Sequence, residues 1–154
     1  MILKEIKKEK KYYTLIFDDG TCFNCLEELI VSNLLLIGKK ISEEELEDLK
    51  NQNEYFKYYD LALGYISKNM CSKNKLNNYL LRKEANNMII EKIINTLKNK
   101  KLLDDQKYFN YMTDYYFRHH YGKFYIISKG KQENISDEII NNSLENISYE
   151  EFYN

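Results

Sequence analysis

Proline and tryptophan are absent from this chain of 154 residues, glycine occurs only five times and cysteine three times. Three cysteines, an odd number, argue against a disulfide framework and suit a reducing compartment. The five glycines fall singly, so no glycine-rich phosphate-binding loop is present. No window approaches the roughly 18 consecutive apolar residues of a membrane span, and the basic start (Lys4, Lys7, Lys8) is not followed by the apolar stretch of a signal peptide. A cytoplasmic protein is the expectation. Neither a Ser-His-Asp nor a Cys-His arrangement can be assembled from the motifs, which predicts a protein without catalytic residues, metal or cofactor.

What is abundant is lysine, isoleucine, tyrosine and asparagine, a bias that reflects A/T-rich coding more than function and weakens arguments from any single Lys or Asn. The 44% hydrophobic and 31% charged content is that of a globular protein. Its net charge of -1 hides a division: residues 1–52 carry -3, residues 53–102 carry +6 and residues 103–154 carry -4. A basic middle between acidic ends can meet nucleic acid or an acidic partner in one place only.

Residues 1–52 begin with strand signals. Tyr13, Leu15 and Phe17 alternate with Thr14 and Ile16, and Asp19-Gly20 supplies a hairpin turn into Thr21 to Cys25. An earlier strand near Ile2 to Lys8 completes a small three-stranded element. Leu26 to Leu36 reads as a short helix closed by Gly38, where a left-handed cap costs least. Ser42 and Glu45 then have the capping-box spacing, at the start of an acidic helix.

Beyond this point the chain is helical and repeats itself at an offset of fifty. Tyr58, Leu61, Ala62, Tyr65 and Ile66 map onto Tyr108, Tyr111, Met112, Tyr115 and Tyr116, a spacing that puts each set on one core-facing helix side. In a second helix Leu76 maps onto Ile126. In a third, Ile89, Ile90, Ile94 and Leu97 map onto Ile139, Ile140, Leu144 and Ile147. Asn86 and Ser136 occupy the N-cap slot of the third helices, and Ser72 and Gly122 that of the second. The predicted fold is mainly α: two tandem three-helix repeats, residues 53–102 and 103–150, forming an elongated array behind the N-terminal β element, with 151–154 as a tail.

Tandem three-helix repeats with these junctions resemble the RecX family. The segment Lys101-Leu102-Leu103-Asp104-Asp105-Gln106-Lys107-Tyr108-Phe109 is similar to the family's link between its first and second repeats. Tyr121-Gly122, Ile126 and Ile135-Ser136 resemble the next signature, and Ser72 with Leu76 its counterpart in repeat one. The hairpin ending in Asp-Gly is similar to an extension that some members carry. Two positions depart from the pattern. Gly130 stands where Leu80 and the family call for leucine, which predicts fraying in the second helix of repeat two. Asn154 precedes position 158, where a third repeat would begin, so that repeat is expected to be absent, with Tyr149, Phe152 and Tyr153 as its vestige.

The resemblance implies a non-enzymatic, monomeric regulator that binds RecA or its filament on single-stranded DNA and lowers recombinase, ATPase and coprotease activity, modulating DNA repair and the SOS response. DNA would be met directly or through RecA. The candidate contacts are the basic residues around the helices of repeat one, namely Lys68, Lys73, Lys75, Arg82, Lys83, Lys92, Lys98, Lys100 and Lys101, together with Tyr79 and Tyr125 beside core positions. The alternatives are a helical DNA-binding protein that acts without RecA, and a degenerate relative without inhibitory activity. Cys22-x-x-Cys25 lacks the four ligands of structural zinc unless Cys71, His119 or His120 joins it, and reads as ordinary strand cysteines. Asp104 and Asp105 read as an N-cap and first turn rather than a catalytic pair.

Overall fold

The computed structural model describes residues 1–145 and residue 147; Tyr149, Phe152 and Tyr153 lie outside the described residues. Among the described residues three strands are followed by seven helices: β1 Leu3–Lys8, β2 Tyr13–Phe17, β3 Cys22–Cys25, α1 Glu27–Ser32, α2 Glu43–Lys68, α3 Lys73–Arg82, α4 Asn87–Asn99, α5 Asp105–Arg118, α6 Lys123–Gln132 and α7 Asp137–Glu145. The chain forms two compact units, Met1–Leu61 and the part from Ala62 onward, with the division inside α2.

In the first unit the strands form an antiparallel sheet in the order β1-β2-β3. Alternation puts Leu15 and Phe17 on one face, where they are buried with Leu3, Cys25, Leu29, Leu35, Ile41, Leu46 and Leu49. The β2–β3 turn closes with the Phe17 N–H on the Thr21 carbonyl (2.9 Å) and Gly20 at φ +87°. α1 is shorter than the sequence pattern predicts. It stops at Ser32 because Leu34 turns into the left-handed region (φ +49°), and the Leu35 N–H donates back to the Ile30 carbonyl (3.0 Å). Gly38 (φ +95°) is not the helix cap: its N–H donates to the Leu3 carbonyl (2.7 Å), laying the loop along β1. The Ser42 hydroxyl accepts the Glu45 N–H (3.1 Å) at the start of α2, and the acidic helix runs on without a break to Lys68.

In the second unit the offset of fifty is carried by the helices themselves. α3 and α6 start at Lys73 and Lys123 and end at Arg82 and Gln132; α2 and α5 end at Lys68 and Arg118. The N-caps act as read: Ser72 Oγ accepts the Lys75 N–H (3.1 Å), Asn86 Oδ1 the Ile89 N–H (2.9 Å) and Ser136 Oγ the Ile139 N–H (3.3 Å), while Gly122 offers no side-chain acceptor. The helix ends use a device the sequence did not announce. Glu84, Lys101, His120 and Asn134 adopt positive φ just past α3, α4, α5 and α6, and the next N–H donates to a carbonyl five residues back, as in Leu102 to Leu97 (2.9 Å) and Ile135 to Gly130 (2.9 Å). These are Schellman caps built without glycine.

The core of repeat two joins Tyr108, Phe109, Ile126, Ile135, Ile140 and Leu144. Two expectations are corrected here. Tyr111 and Tyr115 are not core residues but exposed, because α5 turns Phe109 and Thr113 inward instead. The helix containing Gly130 does not fray: α6 is continuous through it, and Gly130 is buried against Ile140 and Phe109. In repeat one the same position holds Leu80, fully buried. Phe109 and Ile140 thus occupy in the second repeat the room that a leucine side chain takes in the first.

Candidate functional site

The turn from α4 to α5 gathers three of the predicted basic residues. Lys73 at the start of α3, Lys98 in the last turn of α4 and Lys101 beyond it line an open cleft of about 320 Å³ with Leu103, Asp104, Asp105, Gln106 and Ile139. Lys101 reaches this position through its left-handed backbone (φ +60°). Both aspartates have structural tasks. Asp104 Oδ1 accepts the N–H groups of Gln106 (2.9 Å) and Lys107 (3.2 Å), capping α5 as predicted. Asp105 Oδ1 accepts the Lys73 N–H (2.7 Å) and so closes the N-terminus of a different helix, α3. A contact across 32 residues of sequence leaves no local signal by which it could have been read. The cleft is therefore lined by three lysines and by two aspartates whose carboxylates accept helix N–H groups.

The other predicted contacts divide. Lys68, Arg82 and Lys100 stand exposed at the ends of α2, α3 and α4. Lys75 is engaged in the fold: its ammonium lies 3.7 Å from Glu133 Oε1 and 5.0 Å from the centre of the Tyr108 ring. The Tyr108 hydroxyl donates to Glu133 Oε2 (2.8 Å), and burial, with that acceptor beside it, pushes its pKa up. Tyr79 is half-buried and stacks on Tyr65 (4.2 Å between ring centres, 15° between planes), with the Lys83 ammonium 5.8 Å from its ring. Tyr125 stacks on Tyr121 with the same spacing and angle, and Lys129 stands 5.5 Å from its ring. It is separate from the lysine cleft in sequence and belongs to α6.

Cys22 is exposed and Cys25 buried, as their positions on opposite faces of β3 require. Burial raises the thiol pKa of Cys25 and of Cys71 to about 11. Among the described residues no three His, Cys, Asp or Glu side chains come together to hold a metal ion. His119 caps the C-terminus of α5 and packs on Tyr115 (4.2 Å). Sequence reasoning missed a polar cluster between α5 and α7: the Ser143 hydroxyl donates to Asn110 Oδ1 (2.6 Å), and Gln106 Nε2 donates to Ser143 Oγ (3.0 Å) and Asn110 Oδ1 (3.0 Å). Ser143 stands at the register of Ile93, and only the exchange of an apolar for a polar core position could have hinted at it.

These features define a tandem three-helix-repeat protein with a small N-terminal antiparallel sheet. No family model matches the chain. It is 31% identical over 150 residues to the regulatory protein RecX of Streptococcus uberis and 29% identical over 150 residues to that of Streptococcus mutans, in each case over 97% of this chain and 58% of the relative. A crystal structure of a regulatory protein RecX superposes with a TM-score of 0.86 over 98% of this chain and 76% of that one, at 20% identity. The chain is thus similar over nearly its whole length to proteins named regulatory protein RecX and shares the fold of one, and it spans 58% of the length of the two streptococcal relatives.

Proposed function

We propose that the chain is a non-enzymatic cytoplasmic regulator that binds RecA, or RecA filaments on single-stranded DNA, as a monomer and inhibits recombinase, ATPase and coprotease activity. The observation that carries this reading is sequence similarity over 97% of the chain to proteins named regulatory protein RecX. The fold supports it, because tandem helical repeats offer extended side-chain surfaces to a partner. In this reading Lys73, Lys98 and Lys101 approach an acidic groove of the recombinase or the phosphates of filament-bound DNA, with Lys68, Arg82, Lys83 and Lys100 adding charge around them. Lys75 contributes through the fold, since its ammonium already faces Glu133.

The test is the single-stranded-DNA-dependent ATPase of the cognate RecA, with this protein titrated from far below to above the recombinase concentration. Inhibition well below one-to-one supports action on the filament. No effect at excess refutes the proposal. Salt-sensitive DNA binding without any response to RecA would favour a DNA-binding protein that acts alone.

A further inference from the structure

Repeat two carries a surface that its architecture does not need. From Tyr115 to Gln132 the sequence has no acidic residue, while it contains Arg118, Lys123, Lys129 and Lys131, two histidines and six aromatic residues. The net charge of residues 103–154 conceals this run, because the acids lie on either side of it. Phe124 is 80% exposed, Tyr111 50%, Tyr115 45%, Tyr121 43% and Tyr125 36%. Four rings are continuous: Tyr115 meets Tyr116 edge-on (5.7 Å), Tyr116 meets Tyr125 (5.3 Å), and Tyr125 lies parallel to Tyr121 (4.2 Å, 15°). Tyr111 stands one turn before Tyr115 on α5.

Repeat one builds the same helices without most of these rings. At the positions of Tyr111, Tyr121, Phe124 and Tyr125 it has Leu61, Cys71, Asn74 and Lys75. The exposed aromatics therefore serve something other than folding, since a contiguous exposed apolar patch marks a contact surface. Its chemistry selects the occupant. Arg118 is paired with Asp114, but Lys123, Lys129 and Lys131 have no ion-pair partner among the described residues. Protein interfaces are depleted in lysine, whereas aromatic rings interleaved with basic side chains suit bases that stack and phosphates that need counter-charge. Gly122 adds to the fit. Its repeat-one counterpart Ser72 caps α3 with its hydroxyl, but Gly122 leaves the first N–H groups of α6 without a side-chain acceptor, beside Phe124 and Tyr125.

We infer that the aromatic and basic face of α5 and α6 binds single-stranded nucleic acid directly, by base stacking on Tyr115, Phe124 and Tyr125 and phosphate contact with Lys123 and Lys129. This contact needs no recombinase and lies on different helices from the lysine cleft, so it goes beyond the proposed function and stands or fails separately from it.

The experiment is fluorescence anisotropy of a labelled thirty-nucleotide oligo(dT) with the full chain and no RecA, across a salt series. Binding is expected, with a log–log salt slope of about -1.4 if two phosphates are neutralised, and with duplex DNA a weaker competitor than unlabelled oligo(dT). Tyr115→Ala/Phe124→Ala/Tyr125→Ala should weaken binding at least tenfold, a loss of about 1.4 kcal/mol. Tyr115→Phe/Tyr125→Phe should retain it. Phe124→Ala alone, at a side chain too exposed to affect folding, should weaken binding several-fold. Lys123→Gln/Lys129→Gln should flatten the salt slope. No binding by the parent chain, or full affinity in the triple variant, overturns the inference. So does a triple variant that binds oligo(dT) normally but no longer inhibits the RecA ATPase, which would make the face a protein interface and leave the proposed function standing.

Discussion

Replacing Gly130 by leucine, the residue found fifty positions earlier, should destabilise repeat two even though it restores the repeat pattern. A Cβ at Gly130 would lie 2.7 and 2.8 Å from Ile140 Cδ1 and Cγ1 and 2.9 Å from Phe109 Cζ. Ordinary carbon–carbon contact begins near ~3.5 Å, so the overlap is about 0.6 to 0.8 Å at three atoms before the rest of the side chain is placed. The Ile140 and Phe109 side chains are themselves buried and cannot swing into solvent. Removing glycine from a helix interior gains about 1 kcal/mol, while overpacking a dense core costs about 1 to 3 kcal/mol for each small insertion and more for a whole leucine. The balance is a loss of about 2 kcal/mol or more. Urea denaturation followed by far-UV circular dichroism measures it. Pairing Gly130→Leu with Ile140→Ala should recover part of the loss through a coupling of about 1 to 3 kcal/mol. In repeat one the reverse change, Leu80→Gly, should cost about 3 to 5 kcal/mol by emptying a filled site. A Gly130→Leu protein as stable as the parent would refute the packing argument.

Three further outcomes follow from the geometry. Glu84→Gly relieves a left-handed backbone (φ +69°) and should stabilise the chain by about 1 kcal/mol in the same denaturation assay; a decrease would mean that the Schellman cap is not strained there. Glu133→Ala strips the buried Tyr108 hydroxyl of its acceptor and should cost about 1 to 3 kcal/mol, whereas Lys75→Gln, which removes only a partly exposed ion pair, should cost at most about 1 kcal/mol; equal effects would contradict the geometry. The buried thiols give an alkaline dependence. Their pKa of about 11 in the folded chain exceeds the ordinary 9.0, so unfolding releases thiol protons between these values, and stability should fall as pH rises from about 9 toward 11. Cys25→Ala/Cys71→Ala should flatten that decline, and iodoacetamide should modify Cys22 first; alkylation of Cys25 at the same rate in the folded protein would refute the burial.

The sequence by itself determined the class of the fold and its register. Alternation set the strands, the fifty-residue stencil set the helices, and Ser42, Ser72, Asn86, Asp104 and Ser136 marked helix starts, because these are local effects of side chains on their own backbone. The extent of α1 was not legible, since the apolar residues between Leu26 and Leu36 do not reveal that Val31, Leu34 and Leu36 remain exposed. Nor did helical spacing alone separate core from surface on α5, where Tyr111 fits the apolar stencil yet faces solvent and Thr113 does not fit it yet is buried. Only the tertiary structure decided that Asp105 caps α3, that Lys75 answers Glu133, that Lys73, Lys98 and Lys101 share one cleft, and that Gly130 makes room for Phe109 and Ile140. Each depends on contact between segments far apart in the chain, and such contacts arise from packing shape and distance, which local residue preferences do not encode.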